Sequence, residues 1–130
     1  MIDHASTYTT HYDAAKRLYQ AAFAPLGATL QREMVASWDP EFPTRRMCAF
    51  GPQRPIFWLI EVREPATPRH TAFGAATRAQ VDAFYRAALG AGGRDNGAPG
   101  LRTIYHPTYY GAFVLDPDGN NVEAVCHAPE

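Results

Sequence analysis

From Tyr12, apolar residues recur at Ala15, Leu18, Tyr19, Ala22 and Phe23, the spacing of a helix with one buried face. Pro25 and Gly27 end it. Thr10 with Asp13 forms a weak capping box at its start. Ahead of it, residues 2–8 alternate as a strand, with Ile2 apolar and His4, Ser6 and Tyr8 on one face. Residues 28–36, 45–50 and 55–63 read as three more strands, separated by breaks at Pro40/Pro43 and Gly51-Pro52.

The pattern then restarts. His70 to Ala76 reads as a strand. Thr77 caps a second helix, whose apolar face is Val81, Phe84, Tyr85, Ala88 and Leu89 and which closes at Gly90 and Gly92-Gly93. A Gly/Pro/Asn-rich loop is expected over 93–100, then strands near 101–105, 109–116 and 120–127. Asp116-Pro117-Asp118-Gly119 between the last two is turn chemistry. The order strand, helix, three strands therefore occurs twice, over about 1–64 and about 70–127. Each half alone has too little core, so the 130 residues are expected to form one domain.

Composition narrows the function classes. Hydrophobic residues make up 46% and charged residues 19% of the chain, and the formal net charge is −1. Such a balance gives no overall attraction to nucleic acid or to an anionic membrane. No apolar run approaches the ~18 residues of a membrane span, and the first residues lack a signal-peptide pattern. A cytoplasmic protein is the expectation, with Cys48 and Cys126 as reduced thiols.

The candidate chemistry lies in three polar residues set in strands. Glu123 sits in the apolar run Val122 to Val125, and a buried carboxylate needs a cation, hydrogen bonds or water. His4 and His70 lie in two other strand segments. Two imidazoles and a carboxylate make a three-point site for a divalent ion with positions left open. Alternation puts Ala72 and Gly74 on the face of His70, which leaves space there. Taken alone, His4 and His70 read better as satisfied polar residues and Glu123 as the lining of a wet cavity; the three together favour a metal site.

With these residues in view, the chain resembles the vicinal oxygen chelate superfamily of glyoxalase I, bleomycin-binding proteins, fosfomycin resistance proteins and extradiol dioxygenases. The resemblance rests on Ile2-Asp-His4, the helix from Tyr12 to Phe23 with Ala24-Pro-Leu-Gly27, His70-Thr-Ala-Phe73, and Leu115-Asp-Pro-Asp-Gly-Asn-Asn-Val-Glu123. It implies an α+β fold of two βαβββ modules, with curled mixed sheets around a metal or ligand cavity and helices outside. It implies one divalent metal ion (Zn, Ni, Mn or Fe) on His4, His70 and Glu123, and a homodimer acting on a small molecule. In the superfamily some sites draw ligands from both chains, and others lie within one.

The subfamilies fit unevenly. Glyoxalase I has a fourth ligand, for which the candidate is Glu61, sharing a face with Phe57 and Leu59. It stands only nine residues before His70, closer than that enzyme has it. Two modules are fewer than extradiol dioxygenases carry, and no basic and hydroxyl cluster matches that of the fosfomycin enzymes. Catalytic candidates are Glu123 itself, then His106 and Tyr110 from the group Tyr105, His106, Tyr109 and Tyr110, where an imidazole or phenol beside a metal can move a proton. Arg45, Arg46 and Arg102 are candidates to receive an anionic substrate. The function expected is a metal-dependent glyoxalase-like enzyme of lyase, isomerase or dioxygenase type, acting on a small oxygenated or thiol-conjugated substrate. The alternative is metal-independent binding or sequestration of a small molecule on the same fold.

Overall fold

The first helix, α1 (Tyr12–Phe23), buries Tyr12, Ala15, Leu18, Tyr19, Ala22 and Phe23, the face its spacing predicts. It follows strand β1 (Ala5–Thr9) and leads through a short 3-10 turn (Ala24–Leu26) to β2 (Thr29–Val35), β3 (Arg46–Gly51) and β4 (Phe57–Glu61). The second half repeats the order: β5 (His70–Gly74), α2 (Arg78–Gly90), β6 (Arg94–Leu101), β7 (Tyr110–Leu115) and β8 (Asn121–Cys126). This computed structural model describes residues 1–130.

Each half makes one four-stranded mixed sheet, ordered β1-β4-β3-β2 and β5-β8-β7-β6. β1 runs parallel to β4, and β5 parallel to β8; the other pairs are antiparallel. The fold is α+β, and neither sheet closes on itself. One core serves both halves. Tyr19, Phe23, Phe50 and Phe57 from the first meet Val81, Phe84, Val114 and Val122 from the second. Phe73 of β5 packs edge-on against Phe23 and Phe57, with ring centroids 4.6 and 5.0 Å apart. The opposite face of each sheet is left largely uncovered within the chain. On the second sheet, His70, Ala72 and Gly74 are exposed there.

Three expectations are corrected. β1 begins at Ala5, so His4 precedes the strand. Carried back one step beyond His4, the β1–β4 register would set Asp3 opposite Pro55, which has no N–H to give. Residues 93–100, expected as a loop, contain β6, and the loop falls at 102–109 instead. β6 is an edge strand whose register shifts between Asp95 and Gly97 and between Gly97 and Gly100. Edge position and bulges are where a strand tolerates Gly and Pro. The N-cap of α1 is His11, without a side-chain capping bond. Thr10 is engaged elsewhere: its N–H and hydroxyl both donate to Asp118 Oδ1 at 2.9 and 3.0 Å. The Thr77 cap is present as a full capping box with Gln80.

Candidate active site

β5 and β8 are adjacent and parallel, with His70 opposite Asn121 and Ala72 opposite Glu123. Side chains of cross-strand partners share a face. His70, Ala72, Gly74, Asn121 and Glu123 therefore stand on the uncovered face of the second sheet, away from the core. There His70 Nε2 lies 2.8 Å from Glu123 Oε1. The imidazole is half exposed, whereas Glu123 is 1% exposed. The other carboxylate oxygen, Oε2, accepts a hydrogen bond from the Tyr109 hydroxyl.

Counting in twos back from Phe113, the cross-strand partner of Glu123, gives Gly111 and then Tyr109 on the same face. A Cβ on Gly111 would sit 3.2 Å from Tyr109 Cε1 and 3.3 Å from Glu123 Oε2. The missing side chain is what lets the phenol reach the acid. Burial, then the hydrogen bond to Glu123 and the charge of that carboxylate, push the Tyr109 hydroxyl up to about 12, against a pull downward from Arg102.

The two other catalytic candidates fall differently. Tyr110 pairs with Cys126 on the opposite face, and its hydroxyl donates to Asp82 Oδ1 of α2 at 2.7 Å, with Arg78 over its ring. Tyr109, rather than the candidate Tyr110, is the tyrosine whose hydroxyl reaches Glu123. The alternation back from Phe113 was the signal that distinguishes them. His106 joins His127, with Nε2 to Nδ1 at 2.6 Å and the rings stacked. Both imidazoles sit against Tyr109, at centroid distances of 5.3 and 5.4 Å. Thr108 N–H points to His106 Nδ1 at 3.2 Å, which makes that nitrogen the acceptor and leaves the ring proton on Nε2, facing His127.

The metal-ligand candidates divide between the two halves. His4 has Asp3 as its hydrogen-bond partner at 2.7 Å and is exposed. Nowhere in the chain do three or more His, Cys, Asp or Glu side chains converge in a geometry to hold a metal ion. His70 and Glu123 are brought together; His4 stands apart from them. Glu61 lies on the helix-facing side of β4, with Phe57 and Leu59. Its carboxylate accepts from Arg46 N, Nε and Nη2 at 3.0, 3.1 and 2.8 Å. The Arg46 guanidinium outweighs burial and holds Glu61 below its ordinary value. Arg46 also meets Asp13, and Arg45 meets Asp39 and the Glu61 carbonyl.

A divalent ion of the kind the fold family implies fits the His70–Glu123 pair in donor chemistry. One imidazole nitrogen and one carboxylate oxygen suit Zn, Ni, Mn or Fe(II). The two atoms lie 2.8 Å apart, so both could reach one ion. These are two donors, and such an ion would need further ligands to complete its shell.

The doubled strand–helix order, each half with its own mixed sheet, is shared with a known family. The profile of the Glyoxalase/Bleomycin resistance protein/Dioxygenase superfamily matches residues 1–124, and the chain belongs to that superfamily. Among solved structures, a glyoxalase/bleomycin resistance protein from Albidiferax ferrireducens T118 is 25% identical, with a TM-score of 0.72 over 97% of this chain and 98% of that one. A lactoylglutathione lyase from Agrobacterium tumefaciens is 19% identical, with a TM-score of 0.64 over 97% and 92%. Glyoxalase I from Zea mays, as its V278E mutant, is 21% identical with a TM-score of 0.68; this chain is covered over 95%, and that longer chain over 43%. The last two likenesses show the fold alone. No curated protein sequence matches the chain significantly.

Proposed function

We propose that the protein is a metal-dependent glyoxalase-like enzyme whose site is completed by a second copy of the chain. The observation that carries the reading is the His70 Nε2–Glu123 Oε1 approach at 2.8 Å on an uncovered sheet face. In this reading the two βαβββ modules, about 1–64 and 70–127, form one domain. The first sheet of one copy faces the second sheet of the other, and His4 of the second copy joins His70 and Glu123. Tyr8, Met47, Trp58 and Ile60 share the uncovered face of the first sheet and are half-buried, apolar surface suited to such a partner.

When bound, a divalent ion supplies Lewis-acid stabilisation of negative charge on a substrate oxygen. The chain's own residues do the rest. His70 and Glu123 hold one side of the site. Glu123 would also take a proton from substrate, with Tyr109 fixing the direction of Oε2. His106 and His127 brace the Tyr109 ring. The chemistry is of lyase or isomerase type, or oxygenation with Fe(II), on a small oxygenated or thiol-conjugated substrate. The protein works in the cytoplasm, where Cys48 and Cys126 stay as free, buried thiols.

A second reading is sequestration of a small molecule without metal. It is favoured by the chain bringing together two donors rather than three. Elemental mass spectrometry of untagged protein tests the choice, with Glu123→Ala in parallel. About one equivalent of Ni, Zn, Mn or Fe per chain, lost in the variant, is the expected result. No metal in either protein after reconstitution at neutral pH removes the enzyme reading and leaves sequestration.

A further inference from the structure

Three arginines were candidates to receive an anion, and the structure separates them. Arg45 is paired with Asp39, and Arg46 with Asp13 and Glu61. Arg102 forms no ion pair with any carboxylate. Its guanidinium is nevertheless fixed: Nη1 donates to the Gly100 carbonyl at 2.9 Å and Nη2 to the Ala98 carbonyl at 2.7 Å. The group lies over the ring of Phe113, with Cζ 5.3 Å from the centroid.

That position is on the site face. Phe113 is the cross-strand partner of Glu123, and its ring centroid lies 6.3 Å from that of His70. The floor is cut back to make room. A Cβ on Gly97 would meet Phe113 Cδ2 at 2.9 Å and Arg102 Nη2 at 3.2 Å, and one on Gly100 would meet Arg102 Nη1 at 3.2 Å. Ala72, Gly74 and Gly111 keep the rest of the face low. A guanidinium carries five N–H donors; two are satisfied by backbone carbonyls, and the others have no protein acceptor. A cation held rigidly, without a counter-charge, beside a histidine–carboxylate pair is arranged for a ligand that brings the charge.

We propose that the ligand of this site is an organic acid whose carboxylate is received by Arg102, its remaining oxygens lying toward His70 and Glu123. The proposal rests on the placement of the site at His70 and Glu123, and it names the class of substrate. Bidentate geometry suits a guanidinium and a carboxylate, and fixed donors lose little freedom on binding. The neutral amide of the same acid lacks the charge and presents an NH2 group where the carboxylate has its second oxygen, so it binds more weakly.

The test is a binding comparison of acids with their amides: acetate with acetamide, succinate with succinamide, and benzoate with benzamide. Binding is read from amide chemical shifts of the protein as purified and again after metal depletion. At least one acid is expected to bind about tenfold or more tighter than its amide, with shifts at Gly97, Gly100 and Phe113. Arg102→Gln abolishes the preference and Arg102→Lys keeps part of it, as a point charge without the fork. An arginine that only staples the 98–109 segment would change the melting temperature and leave the acid-to-amide ratio alone. The proposal is overturned if no acid is preferred by the wild type, or if folded Arg102→Gln or Arg102→Lys keeps the full ratio. Metal content is measured on the same samples. A protein that prefers acids but holds no metal removes the metalloenzyme reading and keeps this one; a protein that holds metal but shows no preference does the reverse.

Discussion

The Tyr109 hydroxyl donates its hydrogen bond to Oε2 of Glu123, while its neighbour Tyr110 turns to Asp82 on the other side of the sheet. Tyr109→Phe therefore leaves a carboxylate oxygen that is almost out of water without its donor. A buried group stripped of its partner costs about 1–3 kcal/mol. Tyr110→Phe breaks a bond at a more exposed site, and its cost falls below that. Urea unfolding of the two variants is expected to give that order, and the reverse order would show that the phenol beside Glu123 contributes little.

The same contact sets a pH dependence. Burial and the Glu123 carboxylate raise Tyr109 from an ordinary value of 10.0 to about 12. A raised folded value means the protonated phenol is favoured by the fold. Its contribution is complete below about pH 10, the unfolded value, and is lost as pH climbs toward 12. A ring-carbon NMR titration should find Tyr109 ionising well above an exposed tyrosine. In Glu123→Gln the carboxylate charge is gone, and the titration should move back down. An unmoved titration would assign the whole shift to burial.

Much of the fold is legible in the sequence because its signals are local. The buried face of α1 follows from helical period alone, and the Thr77 box from residues three apart. β6 is not legible, since Arg94–Leu101 holds two glycines and a proline and is a strand only through β7 beside it. At the site, Glu123 is marked by being an acid in an apolar strand, and His70 by opening one. Tyr109 is masked by three aromatic neighbours until the register of β7 is counted from Phe113. In the reading proposed above, His4 joins His70 and Glu123 across a surface between two copies, which no spacing within the sequence encodes.

The Asp-Pro-Asp-Gly turn also does more than reverse the chain. Tyr19 of α1 donates to Asp116 Oδ2 at 2.5 Å, and both residues are buried. Thr10 and His11, at the start of α1, meet Asp118 Oδ1. Burial alone would raise Asp118. Hydrogen bonds from Thr9, the Thr10 N–H, His11 and the Thr10 hydroxyl outweigh it and hold the carboxyl below its ordinary 3.8. A lowered folded value gives stability that is present above the unfolded value and lost as pH falls below it. Asp118→Ala is expected to cost on the order of 2 kcal/mol at neutral pH. Acid unfolding should show the difference from wild type shrinking below about pH 4. An unchanged difference at pH 2 would mean that the side chain acts through packing rather than through its charge.

Gly111 gives the sharpest separation of site from fold. It is buried in β7 with its absent side chain aimed at Tyr109 and Glu123, and an added Cβ meets both at 3.2 and 3.3 Å. Those distances are tight enough to displace the phenol and the carboxylate by a few tenths of an ångström without touching the core on the other face. Gly111→Ala should therefore cost about 1 kcal/mol or slightly more, the lower end for overpacking, while weakening metal retention in the manner of a lost supporting partner, about 10- to 100-fold. Gly74 also lines this face, but a Cβ there has no atom within 4 Å, so Gly74→Ala should leave metal retention unchanged. Metal-buffer titration of the two variants beside wild type decides the matter. Equal affinities in all three would mean that the Tyr109–Glu123 contact does not support the site.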